Sequence, residues 1–191
     1  MSLRKIATLG HPILRQTAHA LSREELASPA IQTLIDDLVE TMRDANGAGL
    51  AAPQIYEGLQ ICAIEVNDNP RYPYKPNIPL TILVNPKLTP QSDATFLNYE
   101  GCLSVPNLRG QVRRHAEIRV QAWDRQGQDL DFVARGITAG TYQHEVDHLC
   151  GVIFVDRIVD SKSLCTWEQF ERHQKERCVA ETLDVIAHWG S

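Results

Sequence analysis

The chain has no apolar run approaching the roughly 20 residues that a bilayer-crossing helix needs. Its opening, Met1-Ser2-Leu3-Arg4-Lys5 leading to Gly10-His11-Pro12, lacks the apolar core of a secretion signal. No membrane partner and a cytoplasmic location are therefore expected. An excess of positive charge is also missing: 19 Lys and Arg stand against 24 Asp and Glu, a formal net charge of −5. DNA and anionic lipid surfaces need a basic field, so direct DNA binding is not expected. Cysteine is sparse and odd in number, with Cys62, Cys102, Cys150, Cys165 and Cys178 nowhere closely paired. That usage points to reduced thiols, and leaves a thiolate available as a metal ligand. Internal repeats, low-complexity tracts and linkers are absent too, so one domain over 1–191 is expected, with 43% hydrophobic residues to fill its core.

What is present divides into a few periodic stretches. Ser28-Pro29 supplies an N-cap and a first-turn proline, and Ile31, Leu34, Ile35, Leu38, Val39 and Met42 then recur at helical spacing up to Asn46-Gly47. Short apolar runs at Ile61 to Val66, Thr81 to Val84, Ile118 to Trp123 and Leu130 to Val133 read as strands, the last two joined by a turn at Asp124-Arg125-Gln126-Gly127. Val152 to Val155 reads as one more strand. The four prolines between Asn67 and Pro79 predict a surface loop that is neither helix nor central strand. Thr166 and Gln169 have capping-box spacing, which predicts a C-terminal helical segment at about 163–189.

A second helix is predicted from near Thr138 to Gly151, and it carries His144-Glu145-Val146-Asp147-His148. Residues four apart share a helix face, so two imidazoles can hold one divalent ion while the carboxylate of Glu145 stays free as a base. A catalytic ion needs a third protein ligand and an open position. Cys102, in Glu100-Gly101-Cys102-Leu103-Ser104, is the leading candidate, because the glycine allows close approach and small polar neighbours suit a cleft. Cys150 competes, but it lies two residues past His148, about 200° round the helix, and should point away. The stretch Gly47-Ala48-Gly49-Leu50-Ala51-Ala52-Pro53-Gln54 admits two readings: a glycine stop after the first helix, or an edge against which an extended substrate pairs. The side-chain amide of Gln54 can donate to a carbonyl oxygen gaining charge.

Taken together, these clusters resemble the peptide deformylases. That family's GxGLAAxQ, EGCLS and QHExDH motifs match Gly47 to Gln54, Glu100 to Ser104 and Gln143 to His148 in the same order. Gly10 to Arg15, Leu149 to Gly151 and Asp156-Arg157 extend the likeness over about residues 5 to 160. The resemblance implies removal of the formyl group from the N-terminal formylmethionine of newly made bacterial or organellar proteins. It implies an α+β fold, with antiparallel sheets packed around a central helix that carries the metal motif. It also implies Cys102, His144 and His148 as ligands of one divalent metal, Fe2+ foremost with Zn2+, Ni2+ or Co2+ as substitutes. Glu145 is then the base, and the Gln54 side chain and the Leu103 N–H are oxyanion donors.

The expected substrate-binding set is Gly47, Ala48, Gly49, Glu100, Gly101, Arg109 and Thr141, with Asp147 and Arg114 as partners that orient the ligands or Glu100. Gly140 and Thr141 depart from the bulkier residues many members carry on the face that helps form the methionine pocket, and Ala48 replaces a branched residue on the same wall. Formylated nascent chains are the expected partners, met near the ribosomal exit tunnel. Arg172, Lys175 and Arg177 alternate with Glu168, Glu171 and Glu176, the pattern of a solvated helix face more than an RNA-binding one. Two other readings of the motif are a zinc peptidase and a non-catalytic domain in which Cys150 closes a four-ligand structural site.

Overall fold

A computed structural model describes residues 2–69 and 73–190. Five helices and eight strands follow one another as α1 (Arg23–Leu26), α2 (Pro29–Asp44), β1 (Gly49–Ala51), β2 (Ile61–Val66), β3 (Ile78–Pro90), β4 (Thr95–Cys102), β5 (Val105–His115), β6 (Glu117–Trp123), β7 (Asp129–Arg135), α3 (Gly136–Leu149), β8 (Cys165–Thr166), α4 (Trp167–His173) and α5 (Lys175–Trp189). Every strand pairing is antiparallel. One sheet has the order β1-β2-β3-β6-β7 and the other the order β4-β5-β8. The expected α+β class with a central helix is what the chain adopts.

Alternation along β2 explains how the layers form. Ile61 and Ala63 join Leu34, Ile35, Leu38 and Met42 of α2 in one core. Cys62, Ile64 and Val66 point the other way, toward Ala139, Tyr142 and Leu149 of α3. A strand buried on both faces reads as an unbroken apolar run, which is why Ile61 to Val66 carries so little polarity. Helix α3 is thus covered by the five-stranded sheet on one side. On the other it meets β4 and β5, with Phe96, Ala116 and Ile137 in a shared cluster. The helix ends where expected, at a left-handed Gly151 (φ +72°), whose missing Cβ admits the Arg15 carbonyl: a built Cβ would lie 2.7 Å from it.

Three expectations need correction. Val152 to Val155 is not a strand; Phe154–Arg157 form a 3-10 turn. The Asp156 carboxylate accepts the Ile153 N–H at 2.9 Å and so closes the chain on itself, while Phe154 buries against Val105 and Val112. The strand predicted at Thr81 to Val84 runs from Ile78 to Pro90, so the last two residues of the proline-rich segment belong to a central strand. Pro79 is tolerated because the register with β2 shifts between Ile64 and Val66, beside it. The remainder of that segment is irregular where described, and Pro70, Arg71 and Tyr72 lie outside the described residues. At the C-terminus the helical segment is two helices broken at Gln174, the first capped by Thr166, whose hydroxyl accepts the Gln169 N–H at 3.4 Å. No described helix is long and apolar enough to cross a membrane.

Candidate active site

Helix α3 presents His144 and His148 one turn apart, with ring centroids 5.1 Å from each other. The β4 end brings Cys102 up to them: Sγ lies 3.3 Å from His148 Nε2. The donor atoms of Cys102, His144 and His148 all fall within 4.8 Å of one another. Cys150 is exposed and stands outside this group.

His144 is braced from behind. The Glu100 carboxylate lies 2.8 Å from His144 Nδ1, which leaves Nε2 of that ring for the cleft. Both Glu100 oxygens accept from Arg114, from Nε and Nη2 at 2.8 Å each, and Arg114 Nη1 donates to Asp147 at 2.6 Å. Arg157 donates twice to the same Asp147, at 2.5 and 2.6 Å. A buried ion pair is tolerable only when its remaining hydrogen bonds are made, and here they are.

Charge follows geometry. Burial alone would raise the Glu100 carboxyl, but the Arg114 charge and its two hydrogen bonds outweigh it and hold the group well below the ordinary carboxylate range. Burial likewise opposes ionisation of Cys102, yet the adjacent His148 and His144 hold its thiol well below the usual value, which favours the thiolate a metal ligand needs. His144 is pushed up, against its burial, by hydrogen bonds to Cys102 and Glu100. Glu145 differs: burial dominates and raises its carboxyl. Its Oε2 is fully buried and has no hydrogen-bond partner among the described residues, and the same is true of His148 Nδ1.

The left-handed residue after α2 is Asn46 (φ +50°), not a glycine of the glycine-rich stretch. The stretch follows the end of α2, and residues 49–51 form edge strand β1, paired with β2. Gly49 makes room for the base: a Cβ there would come within 2.4 to 2.6 Å of Glu145 Oε1, Cδ and Cγ. Just beyond, Gln54 is buried with its amide orientation fixed, since Oε1 accepts the Ala51 N–H at 2.8 Å. Nε2 then faces Cys102 Sγ at 3.4 Å and Ser104 Oγ at 3.0 Å. Leu103 and Ser104 are the two turn residues between the paired Cys102 and Val105, so the Leu103 N–H lies outside the ladder. The N-terminal segment ties these parts together: the Ala7 N–H donates to the Gln54 carbonyl and the Leu9 N–H to the Ser104 carbonyl, both at 2.7 Å.

These groups open onto a cleft whose lining includes Gly47, Ala48, Gly49, Gln54, Glu100, Gly101, Cys102, Leu103, Arg109, Thr141, His144 and Glu145. His148 closes the ring of donors from below, buried at 1% exposure. Arg109 is deeply buried, its guanidinium 4.1 Å from the Trp167 ring centroid and 4.7 Å from that of Phe170, so helix α4 holds it in place. Two lining residues escaped the sequence reading, Asn98 and Lys75. Asn98 was findable in principle, because it stands two before Glu100 and strand alternation puts both on one face.

A thiolate and two imidazoles that all reach one point suit a divalent transition ion, because soft sulfur and borderline nitrogen match iron or zinc better than hard cations. Three protein donors with a cleft above them is the arrangement of a catalytic ion, and the buried carboxylate beside them adds a proton carrier, so the fold and site define a metal-dependent hydrolase. Comparison with known proteins is in accord. The polypeptide deformylase family profile matches residues 3–164. A peptide deformylase of Leptospira biflexa is 44% identical over 163 residues, covering 85% of this chain and 91% of that one. Peptide deformylase 2 of a Nostoc species is 42% identical over 171 residues, covering 87% and 92%. Among solved structures, the Met-Ala-Ser-bound class I type b enzyme of Acinetobacter baumannii superposes with a TM-score of 0.79 at 39% identity, covering 82% of this chain and 99% of that one. The chain belongs to the polypeptide deformylase family.

Proposed function

We propose that the protein removes the formyl group from the N-terminal formylmethionine of nascent polypeptides, releasing formate and a free amino terminus, with Cys102, His144 and His148 holding one divalent ion. Fe2+ is the ion assigned here, with Zn2+, Ni2+ or Co2+ as substitutes, since a thiolate with two imidazoles suits all four. The observation that carries the reading is the buried, unpartnered carboxylate of Glu145 set between the two histidines beside the Cys102 thiolate. A structure of the Acinetobacter baumannii relative is Met-Ala-Ser bound.

When bound, the divalent ion supplies Lewis acidity, lowering the pKa of a water and polarising the formyl carbonyl. Everything else comes from the chain. Glu145, raised by burial, takes the proton of the attacking water and passes it to the departing amine, so one carboxyl serves both transfers. Gln54 Nε2 and the Leu103 N–H donate to the oxygen on which charge develops. Edge strand β1 and the Gly101 region offer backbone to an extended substrate, and Arg109 stands ready to meet a substrate carbonyl. The methionine side chain runs along α3 past Thr141. Glu100, Arg114 and Asp147 take no proton; they fix the His144 ring.

The protein works in the bacterial cytoplasm, where formylated chain ends appear near the ribosomal exit tunnel. Exposed charges on α4 and α5 pair internally, Arg172 with Glu168, Lys175 with Glu171 and Arg177 with Glu181. Such pairing favours a solvated face over an RNA-binding one.

Formate release from formyl-Met-Ala-Ser, measured on iron- or nickel-loaded protein handled anaerobically, tests the reading. Glu145→Ala should lower kcat by about 100-fold or more while metal content stays at the wild-type level. Full activity in that variant, or an inactive metal-loaded wild type, sinks the proposal.

A further inference from the structure

Helix α3 carries a glycine in its interior, Gly140, at a position with ordinary helical backbone. Glycine weakens a helix relative to alanine, so its presence there needs a reason in space, not in conformation. The reason is a ring. A Cβ built at Gly140 would stand 3.1 Å from Phe96 Cζ and 3.8 Å from Phe96 Cε2, with Arg114 Cγ also at 3.8 Å. The direction in which a side chain would leave α3 at this point is already filled from β4.

The ring has no room to retreat. It is buried with Ala116 and Ile137, and Val185, Ile186 and Trp189 of α5 pack against the same cluster. Helix α5 is itself closely seated: a Cβ built at Gly136, the first residue of α3, would lie 2.6 Å from the Gly190 carbonyl. Residues 175–189 fall beyond the 3–164 stretch that the family profile covers, so part of the ring's support comes from outside that stretch.

Gly140 lines the cleft together with Thr141 and Asn98. On β4, Phe96, Asn98 and Glu100 share one face by alternation, and Glu100 meets His144 at 2.8 Å. Gly140 and His144 are four residues apart on α3, a rise of about 6 Å. The wall that α3 and β4 build together thus runs from a metal ligand at one end to the contact of Gly140 with Phe96 at the other.

Resting on the deformylase reading above, we infer that Phe96 sets the depth of the pocket for the first side chain. Its ring takes the place of the side chain that α3 lacks at Gly140 and stops the pocket at the length of methionine. Bulk that a helix residue could supply comes here from the sheet, and α5 holds it in place.

The test compares metal-loaded wild type, Phe96→Ala and the double variant Phe96→Ala with Gly140→Leu. The substrates are formyl-Met-Ala-Ser and the same peptide with ethionine, which is methionine lengthened by one methylene. The ratio of kcat/KM for ethionine over methionine should rise by about tenfold or more in Phe96→Ala, the usual worth of one methylene in a tight apolar pocket. Adding Gly140→Leu should return it toward the wild-type value, because the helix then supplies the bulk. A ratio indifferent to Phe96→Ala, or one that Gly140→Leu leaves high, overturns the inference and reduces the ring to packing. If Phe96→Ala does not fold, Phe96→Leu removes the ring while keeping a buried apolar side chain; a rise in the same ratio supports the inference and no change overturns it. Calorimetric binding of the deformylated product peptides gives the ratio without catalysis. Should formyl-Met-Ala-Ser yield no formate, the deformylase reading fails, and the binding ratio still decides the role of Phe96.

Discussion

Glu100 and His144 are joined by a 2.8 Å hydrogen bond, and the same carboxylate receives both forks of Arg114. The ring that faces the cleft is thus held through a buried charge on a different element of the fold. Glu100→Gln keeps the shape and removes the charge. It should weaken metal affinity by about 10- to 100-fold, the usual effect of losing a group that orients a ligand. It should also destabilise the fold by roughly 3 to 5 kcal/mol, since Arg114 loses a buried counter-charge. A chelator competition titration and urea unfolding read the two effects separately; unchanged metal affinity would refute the bracing role.

Gly49→Ala tests the seat of the base. The new methyl would fall within 2.4 to 2.6 Å of three Glu145 atoms, so the carboxyl must move. A displacement of about 1 Å in a reacting group costs on the order of 100-fold in rate. The expected result is a fall in kcat of that size with metal content intact. Wild-type turnover in Gly49→Ala would show that the position of Glu145 is not critical.

Chelation should expose Cys102 to alkylation. Its thiol is held low by the flanking histidines, whereas burial raises those of Cys62, Cys165 and Cys178. In Cys150→Ser, which removes the exposed background thiol, iodoacetamide should therefore label Cys102 first in chelated protein and spare it after metal is restored. Peptide mass mapping distinguishes the sites, and labelling indifferent to metal would count against Cys102 as a ligand.

A stability change with pH is expected far from the cleft. The buried Asp37 carboxylate accepts the Ser2 N–H at 2.6 Å and the Ser2 hydroxyl at 2.9 Å, and these bonds hold its pKa below the ordinary value. A depressed folded-state pKa means the stabilisation is complete above the unfolded value near 3.9 and disappears as pH falls through the folded one. Asp37→Asn should cost about 1.5 to 3 kcal/mol at pH 7. The gap between variant and wild type should close on acidification below about pH 4. Equal losses at pH 7 and pH 3 would assign the effect to packing.

What the sequence displayed and what it concealed have one physical cause. The helix with His144 and His148 is local, its period is visible, and its stop at Gly151 is a matter of one residue's conformation. The hairpin of β4 and β5 was not anticipated, because its buried positions include Asn98, Glu100, Arg109 and Arg114. Glu100 and Arg114 neutralise each other across the hairpin, and Arg114 also reaches Asp147 of α3, so the hydrophobic pattern that reveals other strands is broken where the site is built. Val152 to Val155 failed in the opposite way, since an apolar run looks alike whether a sheet or a turn buries it. Cys102 was placed beside its partners, although they lie more than forty residues away along the chain; Asn98, without chemistry of its own, drew no notice.

The hydrogen bonds from Ala7 and Leu9 carry a mechanical corollary. Neighbouring residues of one segment grip the Gln54 loop and the Cys102 turn, so these two parts of the cleft rim are stitched to the same thread. A rim fastened in that way resists widening. On the proposed function, such a rim would admit a narrow, extended strand end and turn away one already folded into a domain, and the formyl group would have to leave before the new protein's own N-terminus is packed.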